Sequence, residues 1–301
     1  VMDSRICDML GIEFPLVAFS HCRDVVVEVS KAGGFGVFGA ATITPEQLEI
    51  ELSWIDEHID GKPYGVDLIL PNKYEGKGEQ KSPDEVLAML PVEHIDFVNG
   101  ILEAHGVSSD DVDDAARRDS MGFANNLSIE GALGHLDVAF AHPIKLIANA
   151  LGVPPKEMLA RGRQNGVAVA ALVGAKSHAL NQVQAGVDIL VVAGGEAGGH
   201  CGSVSPMVLV PEIHAAIQDH GDTPILAAGG IVTGRQMAAC MAMGASGVWT
   251  GSVWLTTAEG ETNPVVKEKM LAASSSDTVR SRSRTGKYTR QLRSPWTDAW
   301  Q

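Results

Sequence analysis

The chemically richest point of the chain is one histidine inside a run of glycine. Residues 194–202 read Gly194-Gly195-Glu196-Ala197-Gly198-Gly199-His200-Cys201-Gly202, five glycines in nine residues. An imidazole exchanges protons near neutral pH, and glycines around it let the backbone approach a ligand where side chains would intervene. The run follows Asp188-Ile189-Leu190-Val191-Val192-Ala193, an unbroken apolar stretch of the kind buried on both faces in parallel sheets. His200 is therefore the candidate catalytic residue, at the C-terminal end of a strand. Cys201 beside it reads as small and structural, since a nucleophilic thiolate needs positioning partners. Glu196 is expected to hydrogen-bond neighbouring backbone and hold the loop.

Two further strand ends are rich in glycine: Pro224-Ile225-Leu226-Ala227-Ala228-Gly229-Gly230-Ile231, and Gly247-Val248-Trp249-Thr250-Gly251-Ser252. After the first, Thr233-Gly234-Arg235-Gln236 has capping-box spacing, opening a helix through Met237, Cys240 and Met241 to a glycine stop at Gly244. Consecutive backbone N–H groups beside a helix start bind an anion without a lysine, and phosphate is the natural occupant. His21, on the loop after the first strand, reads either as a second site residue or as a capping group. The remaining histidines lack metal-ligand spacing, so no metal is expected.

These residues need a frame that brings three strand ends together. Candidate strands fall at 15–19, 35–39, 64–70, 144–150, 167–173, 188–193, 224–228 and 247–251, most of them separated by amphipathic helical stretches. Thr44-Pro45-Glu46-Gln47 opens one helix with a capping threonine and a first-position proline, and Leu48, Leu52, Ile55 and Ile59 line its face. Asp24 to Lys31 stops at Gly33, and Ser177 to Gln184 stops at Gly186. The alternation predicts an α/β fold, a (β/α)₈ TIM barrel. Its active site lies at the C-terminal strand ends, with phosphate on the loops after strands seven and eight, here those carrying Gly229-Gly230 and Gly251-Ser252.

Composition bounds the alternatives. The chain has 301 residues, 45% of them hydrophobic, and a formal charge of -14, which argues against nucleic acid or an anionic membrane as partners. Four cysteines without paired spacing indicate a reducing compartment. No apolar run approaches the ~18 residues of a membrane span, and no basic-then-apolar export signal opens the chain, so a cytoplasmic location is expected. The barrel is assigned to 1–71 and 136–272. Residues 72–135, with charge clusters and only short periodic pieces, read as an insertion: a solvated excursion, with a substrate lid as the alternative. Residues 273–301 form a basic extension carrying Arg280, Arg282, Arg284, Lys287, Arg290 and Arg293. Docking on the acidic body is its simplest role, and recognition of an anionic substrate tail such as the phosphates of coenzyme A is the alternative.

Glu196-Ala197-Gly198-Gly199-His200, the Ala227-to-Ile231 strand end, Thr250-Gly251-Ser252 and the early Ala32-Gly33-Gly34-Phe35-Gly36 together resemble the nitronate monooxygenase family, formerly called 2-nitropropane dioxygenases. The resemblance covers nearly all of the chain outside 72–135 and implies an FMN-bound (β/α)₈ barrel. It implies His200 as the catalytic histidine, Gly198 against the flavin and Gly229 and Gly230 as the phosphate cradle. Trp249, Thr250, Gly251 and Ser252 fall where the family's last strand binds FMN phosphate, and Ala18, Phe19, Asp67, Ala193 and Gly194 also fall at the cofactor. Three positions depart from the family pattern. Asp67 stands for an asparagine near the flavin, where its charge would oppose flavin reduction, Ala193 stands for a glutamine, and the loop Val17 to Cys22 is shorter than the usual Ala-Pro-Met followed by glycine.

The same superfamily includes FMN-dependent enoyl-thioester reductases, so the resemblance leaves two reactions open. In one, a nitronate is oxidised with oxygen to a carbonyl compound and nitrite. In the other, NAD(P)H delivers hydride through the flavin to an unsaturated acyl thioester. Both use His200, both act on a small molecule, and either is compatible with an oligomer.

Overall fold

The computed structural model describes residues 4–70, 89–108 and 129–300. Eight parallel strands close into a barrel: β1 (Leu16–Ser20), β2 (Phe35–Gly39), β3 (Tyr64–Leu68), β4 (Leu146–Asn149), β5 (Ala168–Val173), β6 (Ile189–Ala193), β8 (Ile225–Ala228) and β9 (Gly247–Thr250), with β9 pairing back onto β1. Every strand lies within two residues of its sequence expectation. Between β6 and β8 the chain makes a two-residue strand, β7 (Gly199–His200), which lies outside the barrel.

The helices are α1 (Arg5–Leu10), α2 (Arg23–Lys31), α3 (Pro45–His58), α4 (Val92–Ala104), α5 (Ile129–Ala141), α6 (Lys156–Asn165), α7 (Lys176–Ala185), α8 (Pro206–Ile217), α9 (Gly234–Ala242), α10 (Pro264–Ala272) and α11 (Pro295–Ala299). Among the described residues, none is long and apolar enough to cross a membrane. Both expected capping boxes form, at Thr44 with Gln47 and at Thr233 with Gln236. Gly186 stops α7 in the left-handed region at φ +85°.

The pleat of the strands sorts their side chains into two cores. Val17, Phe35, Val37, Leu146, Ala148, Ala170, Ile189, Val191, Leu226 and Trp249 fill the barrel interior. Val66, Leu68, Ile147, Val169, Leu190, Val192, Ala227 and Val248 face outward against the helices. Helix α1 adds Ile6, Cys7 and Leu10 to the interior core. Ser4 Oγ donates to the carbonyl of Ser246, just before β9, which places α1 as a plug at the N-terminal strand ends. The opposite, C-terminal end is left for chemistry.

One expected division cuts through a helix. The division at 135/136 falls inside α5, whose Ala132, Leu136 and Ala139 are buried in the outer core. His135 bonds the carbonyls of Gly131 (2.7 Å) and Ile43 (2.8 Å), anchoring that helix to the barrel layer. Of the insertion, α4 is described; residues 72–88 and 109–128, on which the lid alternative turns, lie outside the described residues. The extension after 273 folds as a hairpin, β10 (Thr278–Ser281) and β11 (Thr289–Leu292), followed by α11. β11 also pairs antiparallel with β7, giving a sheet in the order β10-β11-β7.

Candidate functional site

The loops after β6, β8 and β9 close on one another at the barrel mouth. Gly229 sits at φ +110°, and a Cβ there would lie 2.8 Å from the backbone nitrogen of Ala197. Gly230 follows at φ +69°, its Cβ position 3.1 Å from Cβ of Glu196. A Cβ on Gly198 would collide with Oγ of Ser252, and one on Gly194 with the ring of Pro206. Three loops distant in sequence thus touch through positions that admit no side chain. Gln236 locks the turn: its Oε1 accepts from the backbone N–H of Val232 (2.9 Å) and Thr233 (3.0 Å), and its Nε2 donates to the carbonyl of Gly230 (2.7 Å). Glu196, expected to hold the loop, is exposed and makes no side-chain hydrogen bond among the described residues; the loop is held by the backbone bonds Gly194 N–H to Ala228 O (3.0 Å) and Gly195 N–H to Val204 O (2.8 Å).

The other side of the mouth is built from side chains. Phe19 and Trp249 stack with ring centroids 6.2 Å apart, and the His21 ring meets Phe19 edge-on at 5.1 Å. Nδ1 of His21 is bonded to the carbonyl of Gly39 at 2.7 Å, so that imidazole is tied to the β2 end. Asp67 shares the β3 pleat face of Gly65, opposite to the outward-facing Val66 and Leu68, and so projects into the barrel near its open end. It is buried, and its Oδ1 has no hydrogen-bond partner among the described residues. Burial pushes its carboxyl up to about 7. The charge expected here from sequence is therefore absent below that pH.

Two of the expected cofactor residues present only backbone to the mouth. Ala18 alternates with Val17 and Phe19 and packs outward with Cys22, Val25 and Val29. Thr250 alternates with Trp249; its hydroxyl donates to the carbonyl of Val17 (3.0 Å) and accepts from Nε1 of Trp254 (3.0 Å). Ala193 belongs to the interior set, Gly251 stands 3.9 Å by its Cβ position from the Phe19 ring, and Ser252 opens a short helical turn, Ser252–Thr256.

His200 is set by a part of the chain that sequence reasoning treated as a tail. Pairing of β7 with β11 puts His200 opposite Thr289 and Gly199 opposite Arg290. Nε2 of His200 shares a 2.7 Å hydrogen bond with Oγ1 of Thr285, in the turn between β10 and β11. Nδ1 has no partner among the described residues. Desolvation, then Lys287 and Arg284, lower the imidazole below the ordinary histidine range. Arg290 Nε donates to the carbonyl of Gly195 at 2.8 Å, and the Cys201 N–H to the carbonyl of Tyr288 at 3.2 Å. Thr285 and Tyr288 were missed, and Arg290 was expected only as a docking cation of the extension. The signal was present: Arg280, Arg282 and Arg284 alternate with Val279, Ser281 and Ser283 up to Thr285-Gly286, the pattern of a hairpin.

The residues at the mouth are chemically suited to a flavin cofactor that carries a phosphate. The glycine loops and the N-terminus of α9 offer backbone N–H groups for a phosphate, and the unsatisfied Asp67 oxygen offers a partner for a polar ring edge. A family model described as nitronate monooxygenase matches residues 3–301. A Mycobacterium tuberculosis protein assigned by name as monooxygenase Rv1533 is 54% identical over 99% of this chain and 78% of its own length. A "Probable nitronate monooxygenase" of Staphylococcus haemolyticus is 26% identical, over 98% of this chain and 80% of that protein. Among solved structures, FabK from Thermotoga maritima superposes with TM-score 0.71 at 26% identity, over 99% of this chain and 77% of that one. A nitroalkane oxidase from Streptomyces ansochromogenes superposes at 0.76 with 22% identity, over 98% and 80%, and supports the fold alone.

Proposed function

Because the chain belongs to the nitronate monooxygenase family, we propose that it is an FMN-dependent oxidoreductase that oxidises alkyl nitronates with oxygen to a carbonyl compound and nitrite. The observation that carries this reading is the convergence of three glycine strand ends opposite a buried carboxyl without a partner, with His200 at their rim.

Gly229, Gly230, Gly251 and Ser252 would hold the FMN phosphate through backbone N–H groups and the α9 dipole. Asp67 would meet the ring edge, as a carboxylic acid below about pH 7 and as a carboxylate above it. Bound FMN supplies the redox step. The protein supplies orientation and proton handling, and His200 is the residue for both. With Thr285 donating to Nε2, Nδ1 carries the proton and donates to a nitronate oxygen. With Nε2 donating to Thr285, the Nδ1 lone pair accepts a proton from a nitroalkane carbon. The lowered imidazole pKa keeps the ring neutral at neutral pH, so both tautomers are available there. Phe19 and Trp249 wall the mouth with apolar surface.

A second reading, reduction of an unsaturated acyl thioester by NAD(P)H, is favoured by one observation, the arginines and lysine beside His200 that pair with no carboxylate among the described residues. Purified protein supplied in air with an alkyl nitronate tests the first reading. Oxygen uptake with matching nitrite release supports it; no turnover of nitronate, with enoyl-thioester-dependent oxidation of NAD(P)H, replaces it with the second.

A further inference from the structure

The extension carries six cations against two carboxylates, in a chain whose net charge is -14. A cationic segment of this kind was expected to dock on the acidic body by charge. It docks otherwise: by strand pairing to β7, by Arg290 to the Gly195 carbonyl, and by the Trp300 ring, edge-on to Phe97 of α4 at 5.3 Å. Among the described residues, the one ion pair made by the extension is internal, Arg293 with Asp298 at 2.8 Å. Arg280, Arg282, Arg284 and Lys287 pair with no carboxylate among the described residues.

Two of these cations are held in place without being neutralised. The guanidinium groups of Arg280 and Arg282 both lie over the Tyr288 ring, 4.5 and 4.6 Å from its centroid. Stacking of this kind orients an arginine and leaves its charge free for a ligand. Arg280 stands directly opposite Arg290 across the hairpin, a like-charge pair that weakens a sheet. Its Nε is buried and has no acceptor among the described residues. Arg284 and Lys287 flank Thr285, the partner of His200, and both act on the imidazole.

We propose that this hairpin is a binding site for an organic phosphate, the phosphorylated end of the substrate or reductant, held by Arg282, Arg284 and Lys287 while the reacting end lies at His200. Guanidinium forks and an ammonium together match the several oxygens and the double charge of a phosphate. The inference rests on the oxidoreductase reading for the place of the reacting centre, and its ligands are those of the second, thioester-reducing reading. Two sources share this chemistry, the nucleotide of a coenzyme A thioester and that of NADPH.

The test is calorimetric titration of the FMN-saturated protein, so that the cofactor's own phosphate site is filled, with adenosine 3′,5′-bisphosphate and separately with adenosine 2′,5′-bisphosphate. Binding is expected for at least one, the first marking a thioester and the second NADPH. Arg284→Gln combined with Lys287→Gln should weaken it at least about tenfold, the loss of two charge-assisted contacts. Lys62→Gln, ahead of β3 at the opposite end of the barrel, should leave it unchanged. Flavin content and circular dichroism establish that each variant is folded. Failure of both bisphosphates to bind, or equal binding by wild type and the Arg284/Lys287 variant, overturns the proposal; nitronate turnover in the same preparation would still stand, which separates the two failures.

Discussion

The two sides of the barrel mouth are built on opposite principles. After β6, β8 and β9 the chain presents glycine and backbone, and the loops approach so closely that a Cβ on Gly198 or Gly229 finds another loop in its place. After β1 and β3 it presents rings and a carboxyl, Phe19, His21 and Asp67. In the proposed reading the first side would hold a group common to a whole cofactor class, because backbone N–H groups are the same in any sequence that folds this way. The second side, built from side chains, is free to vary and would set what happens to the bound group. The C-terminal hairpin belongs with the variable side, although it reaches the site through β7, the strand that carries His200.

Damage to the backbone side should have the largest effect. Gly229→Val places a branched side chain at φ +110° and against the Ala197 nitrogen, so the purified variant is expected to lose bound flavin altogether, read from visible absorbance per chain, with its circular dichroism kept. Next comes His200→Asn. Turnover should fall ~10²–10⁴-fold with flavin content unchanged; equal losses of flavin and turnover would put His200 among the structural residues of the glycine loop.

Asp67→Asn probes the variable side through pH. Burial raises the folded-state carboxyl to about 7 from an ordinary 3.8, so the folded protein holds a proton that the unfolded chain releases between those values. Stability from this group is therefore full at low pH and is lost as pH rises from about 4 to about 7, by an upper limit of about 4 kcal/mol. The asparagine variant should match wild type in thermal midpoint near pH 4 and exceed it at pH 8. An unchanged difference across that range would show that Asp67 finds a partner when ionised. The smallest effect is expected from Lys287→Gln, which removes one of the two cations acting on His200. Its imidazole pKa, followed by NMR, should rise toward the ordinary value; no change would show that Lys287 does not act on the ring.

The frame was legible in the sequence because each barrel strand is an apolar run and its neighbours are stopped by glycines or opened by capping boxes. Both signals are local. The glycines of the site were legible for the same reason. What stayed hidden depends on pairings distant in sequence. Whether Ala18 and Thr250 face inward or outward follows from the register of β1 against β9, which is set by barrel closure. The partner of His200 lies 85 residues away, and its strand is two residues long, too short for any periodicity to reveal. The unsatisfied state of Asp67 depends on β2, β3 and β4 lying side by side around it.

The central claim is that the glycine side of the mouth holds FMN where a nitronate can reduce it. The most direct test is the visible flavin absorbance of the purified, oxygen-free protein on addition of an alkyl nitronate, with NAD(P)H absent. The account predicts a yellow protein whose absorbance bleaches and returns when air is admitted. A colourless protein that takes up no added FMN, or a yellow one bleached by NADPH and indifferent to nitronate, would contradict it.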